Sequence, residues 1–183
     1  MNLLRRREMA QAGGGSPSGP LYSFSNMTLS GQGSMSTFKI TDGNHLYWSG
    51  KRNGYWVYYQ LTGGKTGGST YAAGTSPVFT IPAGASVILK AKNITYKSAN
   101  ANNTLSFGLM KDDDTVAKSI TIKPSPAQDT AYDPFADVTS TTTTFAEETP
   151  IKSFRTGRST GTYNTTFAVY FDIEMYVNGI RWI

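Results

Sequence analysis

The chain has no cysteine, a single histidine and few charges, and each shortage closes off a class of chemistry. Without cysteine there can be no disulfide, thiolate metal site or cysteine nucleophile. With His45 as the only imidazole, zinc and non-haem iron centres built on paired histidines are excluded. Charged residues make up 16% of the chain, and an acid/base pair would have to come from twelve carboxylates. No apolar run approaches the roughly 20 residues of a membrane helix. The uncharged stretches at 9–38 and 66–89 are rich in Gly, Ser, Thr and Pro and read as irregular. These shortages argue against an enzyme, and no cofactor or metal is expected.

What is present points elsewhere. Glycine, threonine, serine and asparagine together supply 71 of the 183 residues, a mixture that disfavours helix interiors and suits strands and turns. The length is enough for one domain with a real core plus an arm. Of the formal charge of +5, Arg5, Arg6, Arg7 and Glu8 contribute +2, and residues 13–183 carry the remaining +3. The body is nearly neutral for its size, so a nucleic-acid partner is not expected. Leu3 and Leu4 come before the arginines, and Gly13 follows soon after. No secretory signal is written there, and synthesis in the cytoplasm is expected.

Three parts follow along the chain. Residues 1–12 are good helix formers with Met1, Leu3 and Leu4 as an apolar edge, too short to hold a helix alone, and read as an anchoring arm. Residues 13–20 are Gly, Ser and Pro only, a flexible tether. From 21 to 183 short period-2 runs alternate with turn residues, the pattern of an antiparallel sheet protein. Strands are expected at 21–29, 36–41, 46–49, 55–61, 78–81, 86–96, 104–111, 115–123, 138–145, 165–177 and 180–183. That number suits an all-β, jelly-roll-like antiparallel β-sandwich.

The clearest strand is the last long one. Phe167, Val169, Phe171, Ile173, Met175 and Val177 alternate with Ala168, Tyr170, Asp172, Glu174 and Tyr176. The first set is expected in the core and the second on a wet or partner-contacting face. Asn178-Gly179 is a preferred two-residue hairpin turn and would pair Val177 with Ile180 and Met175 with Trp182. Asn53-Gly54 writes a second hairpin, pairing Trp48 with Tyr59 and Lys51 with Trp56. Around it lie Tyr47, Trp48, Tyr55, Trp56, Tyr58 and Tyr59. These rings build either a core, a subunit interface or an exposed stacking platform for a glycan, with Trp48, Trp56, Tyr58, Tyr170 and Tyr176 as the candidate contacts.

Other motifs carry less. Gly63-Gly64-Lys65-Thr66 resembles the end of a phosphate loop, but Tyr59 stands where the first glycine would fall and no helix follows; residues 62–74 read as a mobile excursion at a sandwich edge. Asp112, Asp113 and Asp114 offer oxygen ligands without the spacing of an EF-hand loop, and a solvated turn is the expectation. Asp172 and Glu174 lie on one strand face about 6–7 Å apart by strand rise, within reach of a carboxylate pair, with no surrounding constellation. Asn-x-Thr triplets at Asn26, Asn93, Asn102 and Asn164 are expected by chance in so Asn- and Thr-rich a chain.

The opening Met-Asn-Leu-Leu-Arg-Arg-Arg-Glu-Met with its Gly-rich spacer resembles the leaders of minor structural proteins of tailed bacteriophages. The closing Phe-Asp-Ile-Glu-Met-Tyr-Val-Asn-Gly-Ile-Arg-Trp-Ile resembles their terminal hairpins. Residues 78–87 and 103–109 are similar to strand signatures of jelly-roll domains on such virion proteins and of carbohydrate-binding modules. The resemblance implies a non-enzymatic virion component. It would attach to capsid or tail proteins through Leu3, Leu4, Arg5, Arg6, Arg7 and Met9, and display a β-sandwich as a head fibre, decoration or tail-associated protein. No membrane partner is implied. A homo-oligomer, a trimer for instance, would multiply the weak binding of one arm or one head. The alternative reading is a carbohydrate-binding module that recognises surface glycans through exposed aromatics.

Overall fold

The computed structural model describes residues 27–30, 36–40, 44–51, 53, 56–60, 63–66, 79–111, 113, 115–161 and 165–183. The arm, the tether and Asp112 and Asp114 lie outside the described residues. Within them the chain is all β, two antiparallel sheets packed face to face. In chain order the strands are β1 (Met27–Ser30), β2 (Ser36–Ile40), β3 (His45–Gly50), β4 (Trp56–Gln60), β5 (Gly63–Thr66), β6 (Phe79–Ile81), β7 (Ser86–Ser98) and β8 (Thr104–Lys111). They continue with β9 (Val116–Ile122), β10 (Gln128–Phe135), β11 (Val138–Thr139), β12 (Thr143–Thr144), β13 (Thr149–Thr160), β14 (Phe167–Val177) and β15 (Ile180–Arg181).

A nine-stranded sheet runs β1-β2-β3-β14-β7-β10, with β11 and β12 also paired to β7 and β15 to β14. A six-stranded sheet runs β5-β4-β13-β8-β9, with β6 paired to β13. The core lies between them. All six expected inward residues of β14 are buried there, beside Leu46 and Trp48 of β3, Val87 and Leu89 of β7, and Phe107 and Phe154 from the opposite sheet. Alternation along β14, and along β7 on either side of a bulge at Lys92 and Asn93, supplies one apolar face each, and burying both against the second sheet is the main drive for the sandwich.

The closing hairpin forms as expected. Val177 pairs with Ile180, the Trp182 amide donates to the Met175 carbonyl at 2.7 Å, and Asn178 and Gly179 take the positive φ values of 50° and 78° that such a turn requires. The second hairpin does not form. β3 pairs with β2 and β14, whereas β4 pairs with β13 and β5 in the other sheet. The chain around Asn53 is therefore a crossover between sheets, secured by the Asn53 side chain donating to the Gly161 carbonyl at 2.9 Å. Trp48, on the inner face of β3, lies fully buried between the layers.

Other differences have similar causes. Gly63–Thr66, expected within a mobile excursion, is the edge strand β5. The single strand expected at 138–145 is divided into β11 and β12. At the division the Ser140 amide donates to the Leu89 carbonyl at 2.9 Å, and the Leu89 amide donates to the Ser140 hydroxyl at 3.0 Å. The buried Lys118 ammonium of β9 donates to the Thr141 carbonyl at 2.6 Å and the Thr143 hydroxyl at 2.7 Å, tying the two sheets together at this edge; burial holds its pKa below the usual lysine range. Two strands, β10 and β13, were not expected at all.

At one end of the sandwich the buried Arg158 guanidinium donates to the Thr165 carbonyl at 3.1 Å. Gly161, at φ 142°, passes so close that an added Cβ would lie 2.1 Å from Asn103 Oδ1 and 2.8 Å from the guanidinium. Gly161→Ala is expected to cost about 2 kcal/mol or more through both strain and overlap. Urea unfolding measures it, and a midpoint unchanged from the natural chain would refute the tight packing of this corner.

Candidate functional site

The outer face of the nine-stranded sheet collects the unusual side chains. β14 is a central strand, and Tyr170, Asp172, Glu174 and Tyr176 all project from its outer side. Register brings Tyr170 opposite Tyr47 on β3 and Thr95 on β7, and Tyr47 opposite Lys39 on β2. The Tyr47 and Tyr170 rings lie 4.4 Å apart, His45 stacks on Tyr170 at 5.9 Å, and the exposed Lys39 ammonium sits 5.8 Å from the Tyr47 centroid. These are ordinary cross-strand pairs made of aromatic residues.

A third tyrosine arrives by an irregularity. Gln128 pairs with Ser98 and Asp133 with Tyr96, so residues 129–132 of β10 stand opposite Lys97 alone. This surplus carries Tyr132 across β7 onto Tyr170, with ring centroids 5.2 Å apart and an edge-to-face angle. Bulges next to sites re-aim side chains in this way. Tyr132 is the exposed large apolar side chain among the described residues, at 43%. Burial of its inner edge, then a hydrogen bond shared with Tyr47, pushes its hydroxyl above the usual phenol range.

Beside the rings Asp172 is clamped. Between the pairs Tyr170–Thr95 and Asp172–Lys92, β7 uses one residue more than β14, a bulge that places Asn93 at φ 49°. Asparagine is among the few residues that tolerate this conformation. The Asn93 side-chain amide donates to Asp172 Oδ2 at 2.6 Å, its backbone amide to Asp137 Oδ1 at 3.1 Å, and His45 Nδ1 lies 2.5 Å from Asp172 Oδ1. The carboxylate is held from both sides, and its remaining lone pairs are free to accept hydroxyl protons. Asn93→Ala is expected to cost about 1 kcal/mol from backbone strain alone. Asn93→Gly should cost less, and a chemical denaturation series in which Ala is the milder change would contradict the strained bulge.

Farther along β14, Glu174 is only 8% exposed. It accepts the Tyr176 hydroxyl at 2.9 Å and faces Arg181 Nη1 at 3.6 Å and Lys92 Nζ at 3.9 Å. Burial first, and the Glu174 bond second, raise the Tyr176 pKa. The Lys90 ammonium lies 4.6 Å from the Tyr176 centroid.

The structure thus unites Tyr170 and Tyr176 on one strand face and separates the other sequence candidates from them. Trp48 is fully buried, packed on Phe167 at 5.8 Å, so it belongs to the core and not to a contact surface. Trp56 lies on the six-stranded sheet with the Arg155 guanidinium 4.2 Å from its ring centroid; Tyr58 is in the same strand, its side chain outside the described residues. Leu3, Leu4, Arg5, Arg6, Arg7 and Met9 also lie outside them. Asp172 and Glu174 do share a face, but each is engaged by a different set of partners. Asp113 occupies the β8–β9 turn, where bonds from the Thr115 hydroxyl at 2.6 Å and amide at 3.0 Å hold its carboxyl below the usual range. Among the described residues no three His, Cys, Asp or Glu side chains gather to hold a metal ion. Lys39, His45, Asn93 and Tyr132 were missed as site residues. Alternation against Trp48 places His45 and Tyr47 on the outer face, whereas no periodicity marks Tyr132.

No known family model matches the chain, and no curated protein does. Among solved structures, the apo structure of BiXyn10A CBM1 is similar at a TM-score of 0.37 and 14% identity, over 82% of this chain and 89% of that one. A chain of infectious bursal disease virus, Gt strain, is similar at 0.30 and 10% identity, over 85% of this chain and 44% of that one. A chain of the Gx strain follows at 0.28 and 12%, over 85% and 39%. Scores this low carry no argument about function.

Proposed function

We propose that this chain is a non-enzymatic binding protein whose β-sandwich takes a glycan on the outer face of the nine-stranded sheet. The observation that carries the reading is the joining of Tyr47, Tyr132 and Tyr170 with the clamped carboxylate of Asp172. Sugar rings present apolar C–H faces and hydroxyl edges, and this patch offers flat rings for the first and a fixed acceptor for the second. A nucleophile or an acid/base pair is not needed for such a role. Screening the full chain against an array of neutral and acidic oligosaccharides, with Asp172→Ala beside it, tests the proposal. Binding that falls about tenfold or more in the variant is expected from the loss of a charge-assisted hydrogen bond. Binding to no glycan, or binding indifferent to Asp172, would overturn it.

The setting we propose is a tailed-phage virion, on the strength of the two chain ends described above. The arm would dock on a capsid or tail protein while the tether holds the sandwich clear. Deleting residues 1–20 is expected to abolish incorporation into particles while the thermal unfolding of the sandwich stays where it was. Full incorporation of the shortened chain would refute this attachment.

A further inference from the structure

We infer that the glycan surface extends along β14 to a second subsite at Tyr176, and that this subsite takes an anionic sugar, a uronate or a sulfated unit. The inference rests on the glycan reading above and deepens it. Tyr170, Asp172, Glu174 and Tyr176 share one face of one strand, so the two terminal tyrosines stand about 20 Å apart at the rise of a β-strand. That span exceeds a single sugar ring and is matched by a short oligosaccharide.

The charge differs sharply between the two ends. At the Tyr170 end the clamped carboxylate of Asp172 is offset by the single ammonium of Lys39 over Tyr47. At the Tyr176 end Lys90, Lys92 and Arg181 surround one nearly buried carboxylate, Glu174. Arg181 is engaged by Glu174 and by the Ile183 oxygen at 2.9 Å, which leaves Lys90 and Lys92 as an excess of positive charge beside an aromatic ring. Glu174 fixes Arg181 and Lys92 from below, and the side chain of Lys92 remains 42% exposed. Lys90, resting on the ring face, is free to swing to an incoming carboxylate or sulfate and leave the face to the sugar. Neutral sugars would gain nothing from this excess, so it selects for acidic chains.

Titration calorimetry on the full chain tests this. The probes are galacturonate oligomers and heparin-derived oligosaccharides of two and six units, with neutral cello-oligosaccharides of the same lengths. An acidic hexamer is expected to bind about tenfold more tightly than its dimer and than the neutral hexamer, and Lys90→Gln with Tyr176→Ala should remove that advantage while sparing the dimer. Lys123→Gln, an equal charge loss at an exposed site beyond β9, should change little. If Lys123→Gln weakens the hexamer as much, or if neutral and acidic hexamers bind alike, the anionic subsite is refuted and the Tyr170 site stands. If no oligosaccharide binds, or Tyr170→Ala leaves all binding intact, the glycan reading falls and the subsite with it.

Discussion

Trp48→Ala is expected to destabilise the protein by about 3–5 kcal/mol, the range for removing a large aromatic side chain from a packed core. Trp48 is among the largest fully buried side chains of the described sandwich, and it packs on Phe167 where β3 meets β14. Small domains hold only about 5–15 kcal/mol in total, so the variant should melt far lower or fail to accumulate. Its indole N–H has no hydrogen-bond partner among the described residues, which costs the folded state about 1–3 kcal/mol. Trp48→Phe removes that burden along with some apolar area, and should therefore lie within about 1.5 kcal/mol of the natural chain. Urea unfolding of both variants decides the point. An alanine variant of near-natural stability would place Trp48 on a surface and contradict its burial between the sheets.

Tyr170→Ala is expected to behave in the opposite way, with large effects on binding and small ones on folding. Tyr170 touches His45, Tyr47 and Tyr132 at once, so its removal takes out the centre of the platform. Central aromatic contacts of a binding surface are worth about 2 kcal/mol or more, which corresponds to a loss of affinity of about thirtyfold. The ring lies on the outer face and is only half-buried, so unfolding should shift little. The same variant separates a ligand site from a subunit contact. Light scattering that reports a smaller assembly for Tyr170→Ala, with glycan binding untouched, would mark the patch as an interface between copies.

The parts of the fold that could be read from the sequence are those where side-chain alternation is unbroken. β14 and the Asn178-Gly179 hairpin follow directly from it, because apolar residues occupy every second position and the turn residues tolerate positive φ. β13 was invisible for the converse reason. A register shift between Ile151 and Ser153 breaks its period, and its buried positions include Thr156 and Arg158, which read as polar loop. β10 contains Pro134 and the surplus residues 129–132, so neither propensity nor period marks it. Asn53-Gly54 misled because a local turn signal says nothing about which sheet the next strand joins. That choice is made by long-range pairing, β3 with β14 and β4 with β13.

The site was half legible for the same reasons. Tyr170 and Tyr176 were placed by alternation. Tyr132 and Asn93 come from bulges, where one strand spends extra residues against its neighbour, and only long-range pairing reveals them. The Asp172 clamp joins β3, β7 and β14, segments separated by up to 127 positions, which no local pattern announces.

The most direct test of the central claim is a residue-resolved NMR titration of the full chain with the tightest glycan from the array. Perturbations centred on Tyr47, Tyr132, Tyr170 and Asp172 are the expected result. Shifts confined to Trp56 and Arg155 on the six-stranded sheet, or none at saturating glycan, would contradict it.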